Sequence, residues 1–474
     1  MPQDQTEARG SVVTTLAWVA VLGVAVLWAF DGNFNSLRDR LRKTEGDSKD
    51  KPPGPGFVTG PQNGEAIAAP PLPPRRSAAK RKKYRGRKIE DPCLQQKDGA
   101  CAKRSLDPFY AQLHKLENKQ PGTLVRIAHV GDSVVAAGQV TTRARHRFQQ
   151  NFGDGGPGFL FIREPNRYYH ARAANHRSSG WQIRSIGGKS TRDRLFGYGG
   201  SSFEGFGRGP KAKFGTMRKG KFGKKVSRYE LYYLKQPKGG TAELELDGQV
   251  VATIDSASDK RQAAFHNLKC DDDKHDLQLK VTKGRFRAFG MVMERDSGVV
   301  YENLGVVGAW VHAFTRINKP HWTAQYAKRS PNLVVFFMGS NEADYLRRGR
   351  RSMAAHQKTY EDVIAPIRAG KPGAACIVMA PMDNAVMKDG KLTSLRVIPH
   401  MVKAQRKAAL AQGCAFWNTF AWMGGYGSAR SWRRRGLFWA DYEHPTPRGG
   451  AKIADALFEA VMAGYDEYKE RTNK

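Results

Sequence analysis

The sequence predicts an α/β domain built on a parallel sheet, interrupted by an antiparallel, jelly-roll-like β-sandwich and preceded by one transmembrane helix. Three observations predict it. Continuous apolar runs of five or six residues alternate with helical segments in the C-terminal half, which is the pattern of a parallel sheet covered on both faces. An earlier strand of the same kind is separated from them by a block of short alternating strands without helical periodicity. Near the N-terminus, residues 12–30 form an uncharged apolar run long enough to cross a bilayer.

After a short tail (1–11), the run VVTTLAWVAVLGVAVLWAF ends in Leu-Trp-Ala-Phe-Asp, a poor site for signal cleavage, so an uncleaved anchor is expected. Arg38, Arg40, Arg42 and Lys43 follow it and favour a cytoplasmic flank, whereas a short N-terminus ahead of a long region sends the bulk outward. These signals conflict. The expectation carried forward is a membrane-anchored chain whose catalytic region is extracytoplasmic, in the periplasm or cell envelope. Residues 31–90 read as a Pro-rich basic linker, with Pro52–Gly56, Pro70–Pro74 and the run Arg75–Lys88. Proline and like-charge repulsion make such a segment a semi-rigid spacer, and its basic run is open to anionic polymers.

The globular part begins near Asp91. Residues 91–202 contain the first strong strand, Leu124–Val130, leading into Gly131-Asp132-Ser133 and a helical stretch over 134–150. Residues 203–296 read as the sandwich. Arg228–Leu234 alternates, Leu244–Gly248 turns into Val250–Ile254 through an Asp-Gly pair suited to a type I′ turn, and two more strands flank Lys283-Gly284. Residues 297–474 return to the α/β pattern. Strands are expected at Leu333–Met338, Ala375–Ala380 and Cys414–Asn418, and helices at Met353–Arg368, Ile398–Gln412 and Pro447–Tyr465.

A net charge of +35 attracts polyanions of any kind and does not choose among nucleic acid, anionic lipid and acidic cell-wall polymers. Five cysteines are too few and odd in number for a disulfide scaffold, although Cys93 and Cys101 are close enough to pair in an oxidising compartment. No Cys/His spacing suggests zinc, and no cofactor is expected.

Three short segments carry chemistry. Gly131-Asp132-Ser133 sits at the carboxyl end of a strand and opens a helix, where the serine N–H is free and the helix dipole favours developing negative charge. Gly339-Ser340-Asn341 follows the Leu333–Met338 strand, so an asparagine amide reaches the same sheet edge. Asp441 and His444, three residues apart before the last helix, can meet through a hydrogen bond that sets the imidazole tautomer. Each segment alone also reads as an ordinary cap or turn. Their order along the chain, at three strand ends, is what points to a serine hydrolase.

That combination resembles the SGNH (GDSL-like) hydrolase superfamily over roughly residues 121–465. The resemblance implies Ser133 as nucleophile and backbone oxyanion donor, Gly308 as a second backbone donor, Asn341 as a side-chain donor, and His444 with Asp441 as the base pair. Val134 follows the serine where leucine is usual, and Glu342 replaces the usual aspartate of the third block. An inserted sandwich followed by Gly305–Ala309 and by Gly339-Ser340-Asn341-Glu342-Ala343 is similar to the peptidoglycan O-acetylesterases, whose insert resembles a carbohydrate-binding module. A histidine usual directly after the nucleophile in that group is missing, since position 134 is Val. The implied activity is removal of O-acetyl or similar acyl groups from peptidoglycan or another polysaccharide. The alternatives are an O-acetyltransferase on the same scaffold and a non-catalytic glycan- or polyanion-binding protein. Nucleic acid is not the expected partner. His129 and Glu443 flank the motifs. Tyr168, Tyr169, Trp181, Phe203 and Phe206 are candidates for stacking on sugar rings, and Arg208–Arg228 is a candidate for holding an anionic glycan.

Overall fold

The computed structural model describes residues 68–76 and 86–472. The apolar run 12–30 and most of the linker lie outside these residues. Among those described, no helix is long and apolar enough to cross a membrane.

Five parallel strands form the central sheet, in the order Gly298–Gly305, Leu124–Gly131, Leu333–Phe337, Ala375–Met379, Ala415–Trp417. Their side chains alternate between two cores, as a pleated strand requires. Val125, Ile127, Val335 and Ile377 enter one core with Phe109, Phe148 and Phe458. Ala128, Val130, Phe336 and Val378 enter the other with Trp322, Tyr360 and Met401. Helices Asp107–Glu117, Gln139–Phe152 and Pro447–Thr472 therefore cover one face, and Lys319–Arg329, Met353–Gly370 and Ile398–Ala411 the other. Since all five strands run the same way, their carboxyl ends share one edge.

Two antiparallel ladders, in sheets of five and six strands, make up the interruption. One has the order Gln249–Asp255, Thr241–Leu246, Asp276–Lys283, Lys211–Gly215, Asn175–Ser179; the other has Gln262–Asp273, Val226–Lys235, Arg285–Glu294, Ser201–Phe206, Gln182–Ser185. The Asp247-Gly248 turn has positive φ at both residues, 51° and 89°, as its residue pair implies. The expected boundary at 203 needs correction. Asn175–Ser179 and Gln182–Ser185 belong to these ladders, and Gly158–Leu160 pairs with Arg285–Glu294, so the sandwich starts near 158. These early strands are three to five residues long and rich in Gly, Arg and Ser, leaving no apolar alternation to read.

Three further differences have local causes. The helical stretch after Ser133 breaks at Gly138, whose φ is 77° and where a β-carbon would lie 2.0 Å from the His170 carbonyl. Part of the expected spacer lies against the domain. The Arg143 guanidinium donates to the Pro70 and Pro71 carbonyls at 2.7 and 3.0 Å, and Arg76 pairs with Asp466 at 2.6 Å. Proline-rich backbone cannot pair its carbonyls within a helix, so neighbouring arginines take them. Besides Cys93–Cys101, a second disulfide joins Cys376 to Cys414, which are 38 residues apart and are brought together by neighbouring parallel strands; Cys270 is free.

The sandwich is tied to the central sheet by buried charge. Arg329 reaches both Glu302 and Glu294, at 2.7 and 2.5 Å, and Arg126 holds Glu294 through two contacts of 2.8 Å. Burial opposes ionisation of Glu294, but Arg329 and Arg126 overcome it and keep the carboxyl well below its usual range. Arg329→Met leaves buried Glu302 without its arginine and takes one of three from Glu294, so the expected loss is about 3–5 kcal/mol of stability, read as a lower urea midpoint. An unchanged midpoint would show that the cluster does not hold the two parts together.

Candidate active site

Ser133 opens the helix Ser133–Ala136 at the carboxyl end of Leu124–Gly131. Asp132 is its N-cap: one carboxylate oxygen accepts from Val134 N–H at 2.9 Å, and the other from Gly339 N–H at 3.2 Å. The cap thus fastens the start of the first helix to the start of the third-strand helix. Gly131 must be glycine here, because a β-carbon would sit 2.3 Å from both the Phe337 carbonyl and the Val135 side chain.

His444 arrives from the loop before the last helix. Its Nε2 lies 2.8 Å from Ser133 Oγ, and its Nδ1 lies 2.8 Å from Asp441 Oδ2. The second Asp441 oxygen accepts the Glu443 and His444 N–H groups, both at 3.0 Å, with Tyr442 between them at φ 58°. That turn sets the aspartate before it meets the ring. A proton on Nδ1 shared with Asp441 leaves Nε2 to accept from the serine hydroxyl. Burial disfavours the imidazolium, but Asp441, Glu443 and Asp132 outweigh it and raise the His444 pKa above the ordinary value. For Asp441, burial is likewise overcome, here by His444, and its carboxyl is held below the usual range. Ser133 is 6% exposed and His444 2%, so only their edges meet solvent.

Gly308 lies exposed on the turn after Gly298–Gly305, with φ 74°. Neither its N–H nor that of Ser133 has a hydrogen-bond partner among the described residues. Asn341, on the helix Ser340–Arg347, donates one amide hydrogen to the Ala309 carbonyl at 2.7 Å, which aims the amide and leaves its second N–H available. The structure therefore brings all five sequence-predicted site residues to one sheet edge. Glu342 was not singled out for any role by its sequence position. It is buried, accepts from Val311 N–H at 2.7 Å, and is pushed up to about 8 by burial and then by Asp132. Its contact couples the Gly308 turn to the Asn341 helix. The visible signal was only that a Glu followed the asparagine.

The remaining candidates stand outside the Ser133–His444–Asp441 hydrogen bonds, with Glu443 acting on His444 through its charge. His129 is fully buried within its strand and bonded to Tyr301 Oη at 2.8 Å, outside the Ser133–His444 set. Glu443 lends the turn its N–H, and burial raises the pKa of its carboxyl. Tyr169, Trp181 and Phe203 are core residues, whereas Phe206 is 46% exposed. The basic stretch Arg208–Arg228 does not converge: Lys213 pairs with Asp276 and Arg228 with Glu294. Among the described residues, no cluster of three metal-ligating side chains occurs.

Residues 277–452 match the model of the GDSL-like lipase/acylhydrolase family. Ser133 lies ahead of that stretch and joins it through geometry. No curated protein matches the chain. Among solved structures, one described as a peptidoglycan O-acetylesterase in action is similar, with a TM-score of 0.64 and 20% identity over 76% of this chain and 96% of its own. A family two carbohydrate esterase from Clostridium thermocellum in complex with cellohexaose overlaps far less, with a TM-score of 0.26 and 10% identity over 57% of this chain and 95% of its own. Residues 277–452 thus carry a GDSL-like lipase/acylhydrolase domain, on a fold shared with that O-acetylesterase structure.

Proposed function

We propose that the chain removes O-acetyl groups from peptidoglycan or another polysaccharide, with Ser133 as nucleophile. The observation that carries this reading is the chain of contacts Ser133–His444–Asp441 beside three unclaimed N–H donors, those of Ser133, Gly308 and Asn341. His444 Nε2 takes the hydroxyl proton as Oγ bonds to the acetyl carbon. The carbonyl oxygen becomes an oxyanion facing the three donors. As the C–O bond to the sugar breaks, the imidazolium returns its proton to the departing sugar hydroxyl. Water, deprotonated by the same ring, then releases acetate and restores Ser133. Glycan substrates are supported by the overlap with the O-acetylesterase structure, whose fold this chain shares.

The same reading puts the domain outside the cytoplasm, tethered by the run 12–30, with anionic polymers as partners of the basic linker. The two disulfides support an oxidising compartment. The test is acetate release from a panel of acetylated polymers. Release from none, despite correct folding, would sink the esterase reading, and transfer to an added glycan exceeding hydrolysis would replace it with an acetyltransferase. For Asn341→Ala, kcat should fall about 10²–10³-fold, because one oxyanion donor is lost from a water-poor site. A change confined to KM would remove Asn341 from the oxyanion hole.

A further inference from the structure

We propose that one face of the sandwich is a subsite for a carboxylate-bearing polysaccharide, leading toward Ser133. Strand pairing places Arg184 opposite Ser202, Glu204 opposite Arg287, and Phe206 opposite Arg285. Because side chains alternate along a strand, these residues share one face of the sheet. Arg192 and Arg261 close over it from the loops, leaving a cleft of about 670 Å³. That volume lies within the range of small-ligand sites.

The charge in this cleft does not balance. Five guanidiniums line it against two carboxylates, Asp193 and Glu204. The buried part is internally paired: Arg287 binds Glu204 at 2.9 Å and Asp193 at 2.8 Å, and Arg285 binds Glu204 at 2.6 Å. This pairing is structural and fixes the floor. Arg184 and Arg192 have no acidic partner among the described residues, so their forks remain open to a carboxylate. Cations gathered in this way repel one another unless an anion joins them. They are also spread over adjacent strands about 4.8 Å apart instead of converging on one point, which suits charges repeated along a polymer. Phe206, exposed on the same face with the Arg285 guanidinium 5.8 Å from its ring centre, offers an apolar platform for a sugar ring. Acidic sugars present that combination of apolar ring face and regularly spaced charge.

The cleft also has a direction. Its strand Gln182–Ser185 runs into a turn whose far side touches the Gly308 loop: a β-carbon on Gly187 would meet the Val307 carbonyl at 2.6 Å. Arg194, on the same connection, donates to the Arg316 and Thr315 carbonyls at 2.6 and 2.8 Å. A chain lying in the cleft would therefore lead toward the oxyanion turn. This directional part rests on the esterase reading; binding itself does not.

The test is calorimetric titration of the full chain, carrying Ser133→Ala to prevent turnover, with oligogalacturonate and with a neutral cello-oligosaccharide of equal length. Oligogalacturonate should bind, and the neutral oligomer should bind much more weakly. R184E/R192E should weaken oligogalacturonate binding by roughly tenfold or more, as two charge-assisted contacts become repulsive. The charge-matched control is K403E/K407E, on the exposed side of Ile398–Ala411, which should change binding by less than about twofold. Equal loss in both double variants would reduce the effect to general attraction by net charge and overturn the subsite. So would equal binding of the neutral oligomer, or no binding at all. A wild-type chain that binds oligogalacturonate yet releases acetate from no polymer would sink the esterase reading and leave the subsite standing.

Discussion

Ser133→Ala is expected to lower kcat by about 10⁴- to 10⁶-fold while leaving the fold intact. The reasoning follows from the contacts of one atom. Ser133 Oγ bonds to His444 Nε2 and serves no cap, since Asp132 performs that task. Its removal costs one hydrogen bond of stability, on the order of 1 kcal/mol, yet deletes the atom that becomes acylated. The oxyanion donors survive the substitution, so residual turnover above the uncatalysed rate should remain. Two measurements check this: acetate release from a small acetyl ester, and covalent labelling by a serine-directed fluorophosphonate. Full labelling of the alanine variant, or an undiminished rate, would remove Ser133 from the nucleophile role.

Asp441→Asn should cost about 10⁴-fold in kcat through the imidazole tautomer. Asparagine can still accept the Glu443 and His444 N–H groups through its carbonyl oxygen, so the turn should persist. Its amide nitrogen, however, presents hydrogen to Nδ1 and favours the proton on Nε2, where it blocks acceptance from serine. The pH profile adds a second readout. The base must be neutral to act, and Asp441 helps to raise the pKa of His444 above 6.5. In the native chain the acidic limb of kcat/KM should therefore lie above that value, with activity rising as pH increases through it. In Asp441→Asn that limb should move to lower pH along with the fall in rate. A limb that stays in place would show that Asp441 does not set the charge on His444.

Much of this site was legible because its parts sit where the chain changes character. Gly131-Asp132-Ser133 and Gly339-Ser340-Asn341 each follow a run of apolar strand residues, and a parallel sheet delivers such ends to one edge, while Asp441 and His444 stand just before the last helix. The relation between parts was not legible. That Asp132 caps one helix and also binds the Gly339 N–H depends on two strands being neighbours, which local sequence does not encode. The role of Glu342 was not legible for a similar reason, since a glutamate early in a helix is ordinary dipole compensation until it is seen buried against Val311. The Cys376–Cys414 pair was not legible, because it follows from strand order and not from spacing. The early sandwich strands were missed where glycine and arginine replaced the alternating apolar residues that mark Val226–Lys235 and Arg285–Glu294.

The place where the sandwich leaves and rejoins the sheet has an engineering consequence. Exit and return lie side by side: Val299 N–H bonds to the Gly153 carbonyl at 2.9 Å, and Gly155 N–H returns to the Val299 carbonyl at 3.1 Å. Everything between is in effect one long crossover joining the adjacent strands Leu124–Gly131 and Gly298–Gly305. A short linker of a few residues can span that gap, but the sandwich is a cassette that shares one buried core with the sheet, where Phe159 and Tyr198 pack with Leu304, Trp322 and Tyr326, so its exchange for another module requires recoating that face. Deleting Glu294 with the cassette, however, leaves Arg329 with one carboxylate fewer in the interior. A trimmed version must therefore change Arg329 in the same step or lose the gain in simplicity to instability.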